Sequence, residues 1–129
     1  LEAGTRGSVW TGTGKVLGDW EDLKPRSEYA HRITGAYYSA RLGVLEQMDS
    51  MRRSGACLLW RDIGPGYWAP VGVWLIRETV REAMKQAPKQ FDSLKHAVDY
   101  VAPRVSAPDD LRNSWFVKRS RQTTLDSFA

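Results

Sequence analysis

Apolar residues recur at helical spacing in several parts of the chain. Across residues 27–53 they fall three and four positions apart, which predicts one long helix with a single inward face. Ser27 is suited to cap the start of this helix, and Gly55 to end it. The predicted inward positions are Ile33, Tyr37, Ala40, Val44, Met48 and Met51.

A continuous apolar run then predicts a buried strand over residues 57–63, which the turn signal at 64–66 ends. A second helix is predicted over residues 71–86. A third helix follows, with Asp92 or Ser93 as its cap, and a fourth opens at residues 108–110, where acidic side chains suit the positive end of a helix.

These elements together predict an α/β fold that is mostly helical. We expect a compact single domain with at least one buried strand and a flexible C-terminal tail. Residues 1–26 form an irregular N-terminal arm, residues 27–117 the core domain and residues 118–129 a basic tail. Because the chain begins with Leu1 rather than Met, we expect it to be part of a longer protein.

The composition, 42% hydrophobic and 26% charged over 129 residues, is that of an ordinary globular domain. A net charge of +4 permits nucleic-acid contact without establishing it. The single cysteine, Cys57, cannot form an internal disulfide, and we expect it to be a buried thiol. No apolar stretch is long enough to cross a membrane and no signal peptide is visible, so we expect an intracellular, cytoplasmic and nucleoid-associated protein with no membrane partner.

The last eight residues carry a spaced pattern, in which Gln122, Leu125 and Phe128 lie three positions apart. In a 3₁₀ turn such residues eclipse each other, so Leu125 and Phe128 would project together as a two-pronged apolar plug. The pattern resembles the clamp-interacting peptide, or PIP box, that binds sliding clamps of the PCNA type.

This resemblance implies that the Gln122 amide enters a small polar pocket of the clamp and the two apolar side chains a hydrophobic one. Ala129 stands where the strongest of these motifs have a second aromatic residue, so we expect reduced affinity. The upstream basic residues, which the resemblance directs toward acidic groups on the clamp, are Lys118, Arg119 and Arg121.

A second resemblance runs over residues 29–100 and is carried by residues 36–42, 60–67, 70–74 and 77–81. These segments resemble the C-terminal domain of the archaeal Nre family of DNA repair proteins. The resemblance implies a role in repairing DNA damage and a separate N-terminal region with a zinc ribbon. This chain lacks the cysteines of such a ribbon, so we expect no cofactor or metal here and the N-terminal region of the same parent protein as a partner.

The second predicted helix carries Arg77, Arg81 and Lys85 at four-residue spacing, and the first carries Arg41. A basic helical face of this kind can neutralise DNA phosphates. The alternative is a solvated face, because Glu78 and Glu82 interleave with the cations.

Catalysis is left open by the sequence. Four acids could meet around a metal as in nucleases, although no nuclease signature accompanies them: Glu46, Asp62, Glu78 and Glu82. The favoured function is a DNA repair accessory domain that recruits its parent protein to the sliding clamp and contacts DNA through its basic face. The alternatives are a metal-dependent DNA nuclease domain and a structural domain that docks only on the N-terminal region.

Overall fold

A computed structural model describes residues 16–22, 24, 26–63 and 72–126. This part of the chain forms five α-helices: α1 (Thr34–Met51), α2 (Val73–Lys85), α3 (Leu94–Val101), α4 (Pro108–Arg112) and α5 (Trp115–Asp126). A short 3₁₀ helix, Ala102–Arg104, follows α3. None of the described helices is both long and apolar enough to cross a membrane.

The predicted α/β class is wrong, because the described residues contain no strand. The segment expected to be a buried strand, residues 57–63, is irregular, and both Cys57 and Leu59 are exposed. The expectation of a buried thiol at Cys57 is therefore wrong as well. A short apolar run does not by itself distinguish a strand from another half-buried segment, and the described part of the chain offers no partner strand for it.

The chain clusters into two compact units, the first comprising residues 1–59 and 63–87 and the second residues 60–62 and 88–129. In the first unit α1 packs against α2, and among the described residues of this unit the buried side chains are Ala30, Val44 and Val80. Gly43 of α1 permits this close packing. A Cβ atom at Gly43 would lie 2.8 Å from Cγ1 of Val80, so the two helices meet where α1 has no side chain.

The start of α1 differs from the prediction. The helix begins at Thr34 rather than near Ser27, and the segment before it is held by a carboxylate from upstream. The Oδ2 atom of Asp19 accepts hydrogen bonds from the backbone N–H groups of Arg32 at 3.1 Å and Ile33 at 2.7 Å. Arg52 ends the helix in the left-handed conformation, with φ at 52°, three residues before the predicted stop at Gly55.

The second unit packs α3, the 3₁₀ helix, α4 and α5 together, and the side chains buried in its described part are Val98, Ala102, Leu111 and Val117. Of the two predicted caps, Asp92 and Ser93, Ser93 caps α3, and its side chain accepts a hydrogen bond from the N–H of His96 at 3.2 Å. The predicted fourth helix is broken at residues 113–114 into α4 and α5. Helix α5 continues through Asp126, so residues 118–126 are helical where a flexible tail was predicted.

Candidate functional site

Helix α5 carries the basic run and the first part of the predicted clamp-binding peptide. Val117 is 2% exposed and anchors the helix in the core of the second unit. The side chains of Lys118, Arg119 and Arg121, which follow at once, are exposed. The anchor thus fixes which residues of α5 face solvent, and the three predicted clamp-facing cations are among them.

The motif residues lie partly on this helix. Gln122 and Leu125 belong to α5, where a separation of three residues places them on the same side of the helix. Phe128 and Ala129 lie outside the described residues. The backbone from Gln122 to Asp126 is α-helical rather than the 3₁₀ turn that the sequence predicted.

The predicted basic face on α2 is paired with acids. Arg81 donates to both carboxylate oxygens of Glu46, with Nε–Oε2 at 2.7 Å and Nη2–Oε1 at 2.6 Å, and to Glu78 at 2.6 Å. These hydrogen bonds raise the pKa of Arg81 and lower the pKa of Glu46. Arg77 lies 3.5 Å from the same Glu78 carboxylate.

The other two predicted DNA-binding cations are paired in the same way. Lys85 donates to Glu82 at 2.8 Å, and this hydrogen bond raises the pKa of Lys85. Arg41 lies 2.5 Å from Glu21, whose hydrogen bond raises the pKa of Arg41. Each of the four cations therefore shares its charge with a neighbouring carboxylate, which lowers the positive potential that a phosphate would meet.

The four acids considered for a nuclease centre have other roles. Glu46 and Glu78 both bind Arg81, and Glu82 binds Lys85, all within the first unit. Asp62 belongs to the second unit. Among the described residues, no group of three or more His, Cys, Asp or Glu side chains is placed to hold a metal ion.

Asp62 ties the segment at residues 60–62 to the rest of the second unit. Its carboxylate accepts hydrogen bonds from the Ser106 N–H at 3.1 Å, the Ser106 hydroxyl at 2.6 Å and the Trp60 indole at 3.1 Å. These three donors, with the Ser106 hydroxyl first, hold the pKa of Asp62 below its ordinary value. Sequence reasoning missed this link because the partner lies 44 residues away.

The depressed pKa of Asp62 makes the second unit less stable in acid. A carboxyl group whose pKa is lower in the folded state stabilises above its unfolded pKa of about 3.9, and this contribution is lost as the pH falls through the folded pKa. Asp62→Asn is therefore expected to be less stable than the parent chain at neutral pH, with the difference narrowing below about pH 4. Urea unfolding at several pH values measures this, with Asp49→Asn, at an exposed position of α1, as the control. A difference that stays constant with pH would contradict it.

A model of the family described as "Archaeal Nre, C-terminal" matches residues 21–128. The chain belongs to the archaeal Nre family. The match covers most of the chain, and it confirms the family that the sequence segments indicated.

Several relatives of this Nre chain are known. It is 38% identical over 129 residues to the DNA repair protein NreA of Archaeoglobus fulgidus and 37% identical over 125 residues to the DNA repair protein NreB of the same organism. It is 32% identical over 137 residues to NreA of Haloferax volcanii. These alignments cover 99%, 94% and 100% of the chain, but 32% of each relative, so the chain spans about a third of their length. No solved structure matches it.

Proposed function

We propose that this chain is the C-terminal domain of a DNA repair protein, and that it recruits its parent protein to a PCNA-type sliding clamp. Its contacts with the clamp are Gln122, Leu125 and Phe128. Membership of the Nre family and the names of the relatives support the repair role. The clamp contact is carried by one observation: α5 exposes three cations immediately before the motif, on a helix that Val117 anchors in the core.

The helical backbone at Gln122 and Leu125 is compatible with this role. The two positions are three residues apart along the helical backbone of α5, a spacing at which residues share one side of a helix. The last turn of an α-helix commonly tightens into 3₁₀ geometry, so the motif could adopt its clamp-bound turn with a small local change.

Co-elution of the chain with a PCNA-type clamp in gel filtration tests the proposal. We expect the whole chain to shift into the clamp fraction and a chain ending at Arg121 to elute alone. The truncated chain keeps Val117 and the basic run, so its loss of binding would not reflect loss of the core. Equal co-elution of both chains would refute the motif as the contact.

The three exposed cations of α5 are expected to speed association with an acidic clamp surface. Replacing Lys118, Arg119 and Arg121 together with glutamine is expected to weaken binding several-fold at low salt, mainly through a slower association rate. The difference should shrink as the salt concentration rises, because exposed charges are screened. Surface plasmon resonance at two salt concentrations measures this, with Lys24→Gln, at another exposed lysine, as the control.

DNA contact by the basic face remains a further part of the proposal. Arg41, Arg77, Arg81 and Lys85 can reach phosphate only by sharing or leaving their carboxylate partners. If the face binds DNA, Glu46→Gln combined with Glu78→Gln is expected to strengthen binding, because Arg81 then keeps its full charge. An electrophoretic mobility-shift assay measures this, and weaker or unchanged binding would contradict it.

The ion pairs also support a second candidate, a domain that docks on the N-terminal region of its parent protein. Cations that are already paired with carboxylates present less positive potential to a phosphate, which favours contact with protein over contact with DNA. This candidate predicts that the isolated chain shows no salt-dependent DNA binding. Mobility-shift assays at low and moderate salt distinguish it from the DNA-contact proposal.

A further inference from the structure

A group of aromatic rings and guanidinium groups lies around the segment that leads into α1. We call it the aromatic–arginine face and define it by Trp20, Arg26, Tyr29 and Arg32. Trp20 is 44% exposed and Tyr29 is 65% exposed, so both rings present surface to solvent. Sequence reasoning missed this face, because Trp20 and Arg26 lie in residues 1–26, which were interpreted as an irregular arm, while Tyr29 and Arg32 lie in the segment that was predicted as the first helix.

The two rings are held in place by their neighbours. The Tyr29 ring lies against Tyr38 of α1, with centroids 4.7 Å apart. The Tyr38 hydroxyl accepts a hydrogen bond from the Ala30 N–H at 3.1 Å, which fixes the backbone beside Tyr29. The Arg32 guanidinium lies 5.3 Å from the centroid of the Trp20 ring, within the range of a cation–π contact. The rings are therefore positioned before any ligand arrives.

The cations of this face differ from those of α2 in their partners. Arg26 donates to the backbone carbonyls of Glu28 at 3.1 Å and Trp20 at 2.5 Å, which orient its guanidinium without neutralising it. Within the described ranges, no carboxylate lies within 4.0 Å of Arg26 or Arg32.

Two nearby acidic side chains have hydrogen-bond or ion-pair partners other than the guanidinium groups of Arg26 and Arg32. Asp19 accepts backbone N–H groups before α1. Glu21 is paired with Arg41. Two arginines of this face thus keep charge that is available to a phosphate.

We propose that the aromatic–arginine face binds single-stranded DNA. Unpaired bases stack on the exposed rings of Trp20 and Tyr29, and the phosphates between them lie against Arg26 and Arg32. Base stacking on aromatic side chains beside cations is the general mode of binding to unpaired nucleic acid, and every base has a surface that can stack. A duplex hides its base surfaces, so the face discriminates against double-stranded DNA.

This inference rests on the repair role proposed above for its choice of DNA, but not on the clamp contact. An apolar protein partner suits the face less well, because such a partner would bury two guanidinium groups without supplying carboxylates. A single strand supplies both the flat apolar surfaces and the anions that the face lacks.

Fluorescence anisotropy of labelled oligothymidylate with the whole chain tests the proposal. We expect Trp20→Ala and Tyr29→Ala each to weaken binding about 5-fold or more, since one stacked base is lost in each case. Tyr29→Phe keeps the ring and is expected to bind as the parent does. Arg32→Gln is expected to reduce the slope of log affinity against log salt by about 0.7, the value for one phosphate of a single strand.

Trp74→Ala is the matched control, because Trp74 is 57% exposed in the same unit but lies on α2. It is expected to leave binding unchanged, and circular dichroism checks that each variant keeps its helices. The proposal is overturned if the parent does not bind oligothymidylate, if Trp20→Ala and Tyr29→Ala bind normally, or if Trp74→Ala is equally impaired. Tighter binding of duplex DNA or of oligouridylate would also overturn it.

The proposed clamp contact and the proposed strand binding can be refuted independently of each other. Phe128→Ala is expected to bind oligothymidylate as the parent does, and Trp20→Ala is expected to co-elute with the clamp as the parent does. Loss of clamp binding by the parent chain with intact strand binding would remove the recruitment proposal alone. The reverse result would remove this inference alone.

Discussion

Replacing Gly43 with leucine is expected to lower the free energy of unfolding by about 2 kcal/mol or more. Even a single Cβ atom at this position would lie 2.8 Å from Cγ1 and 3.1 Å from Cβ of Val80. Val80 is buried and β-branched, so it has little freedom to rotate away. The larger side chain must therefore separate α1 from α2, which together form the core of the first unit.

Urea unfolding followed by circular dichroism measures this effect. Gly55→Leu is the matched control, because a Cβ atom at Gly55 meets no other atom within 4 Å. Gly43→Ala alone is also expected to lower the stability. Adding Val80→Ala to it is expected to restore part of that loss, because the Val80 methyl group that the new Cβ atom would contact is removed. If Gly43→Leu proved as stable as Gly55→Leu, the close packing of the two helices would be refuted.

Phe128→Ala is expected to weaken clamp binding by about 1.5–3 kcal/mol, which is roughly 10-fold to 150-fold in dissociation constant. The proposed contact buries the Phe128 ring in an apolar pocket, so truncation removes most of one prong of the plug. Thr123→Ala changes a residue between the motif positions and is expected to leave the affinity nearly unchanged. Isothermal titration calorimetry with a PCNA-type clamp measures both variants.

The opposite change gives an independent check on the motif. Ala129 occupies the place of the second aromatic residue found in the strongest clamp-binding peptides, so Ala129→Phe is expected to tighten binding. Tightening by Ala129→Phe together with weakening by Phe128→Ala would place both positions in the pocket. If neither substitution changed the affinity, the terminal residues would not contact the clamp.

The helices were largely predictable from the sequence. Spacing of apolar residues located α1, α2 and α3. Local capping chemistry narrowed the start of α3 to Asp92 or Ser93, and the structure shows that Ser93 is the cap. Such features depend on residues a few positions apart, so a sequence displays them directly. The break between α4 and α5 was missed because the apolar spacing continues across residues 113–114.

The errors arose where distant residues decide the structure. Asp19 fixes the segment before α1 from 14 residues upstream of Ile33, so Ser27, the local candidate cap, does not start the helix. The run at residues 57–63 is apolar enough for a strand, but a strand also requires a partner, and the described chain supplies none. Side-chain hydrogen bonds of Asp62 hold the end of that run instead.

In the candidate sites, too, local features were predictable from the sequence and long-range contacts were not. Helical spacing placed Arg77, Arg81 and Lys85 along one helix, but the bidentate pairing of Arg81 with Glu46, 35 residues away, could not be deduced from spacing. That pairing changes the electrostatic character of the face. The cations of the aromatic–arginine face stayed unrecognised for the converse reason, since only the fold shows that Arg26 and Arg32 lack carboxylate partners among the described residues.

A competition experiment with the isolated motif tests the proposed recruitment to the clamp. A labelled peptide of residues 118–129 is bound to a PCNA-type clamp, and its anisotropy is followed as the whole unlabelled chain is added. We expect the parent chain to displace the peptide completely and Phe128→Ala to do so only at a concentration at least about 10-fold higher. A parent chain that leaves the peptide bound, or a Phe128→Ala chain that displaces it equally well, would show that the motif does not recruit the chain to the clamp.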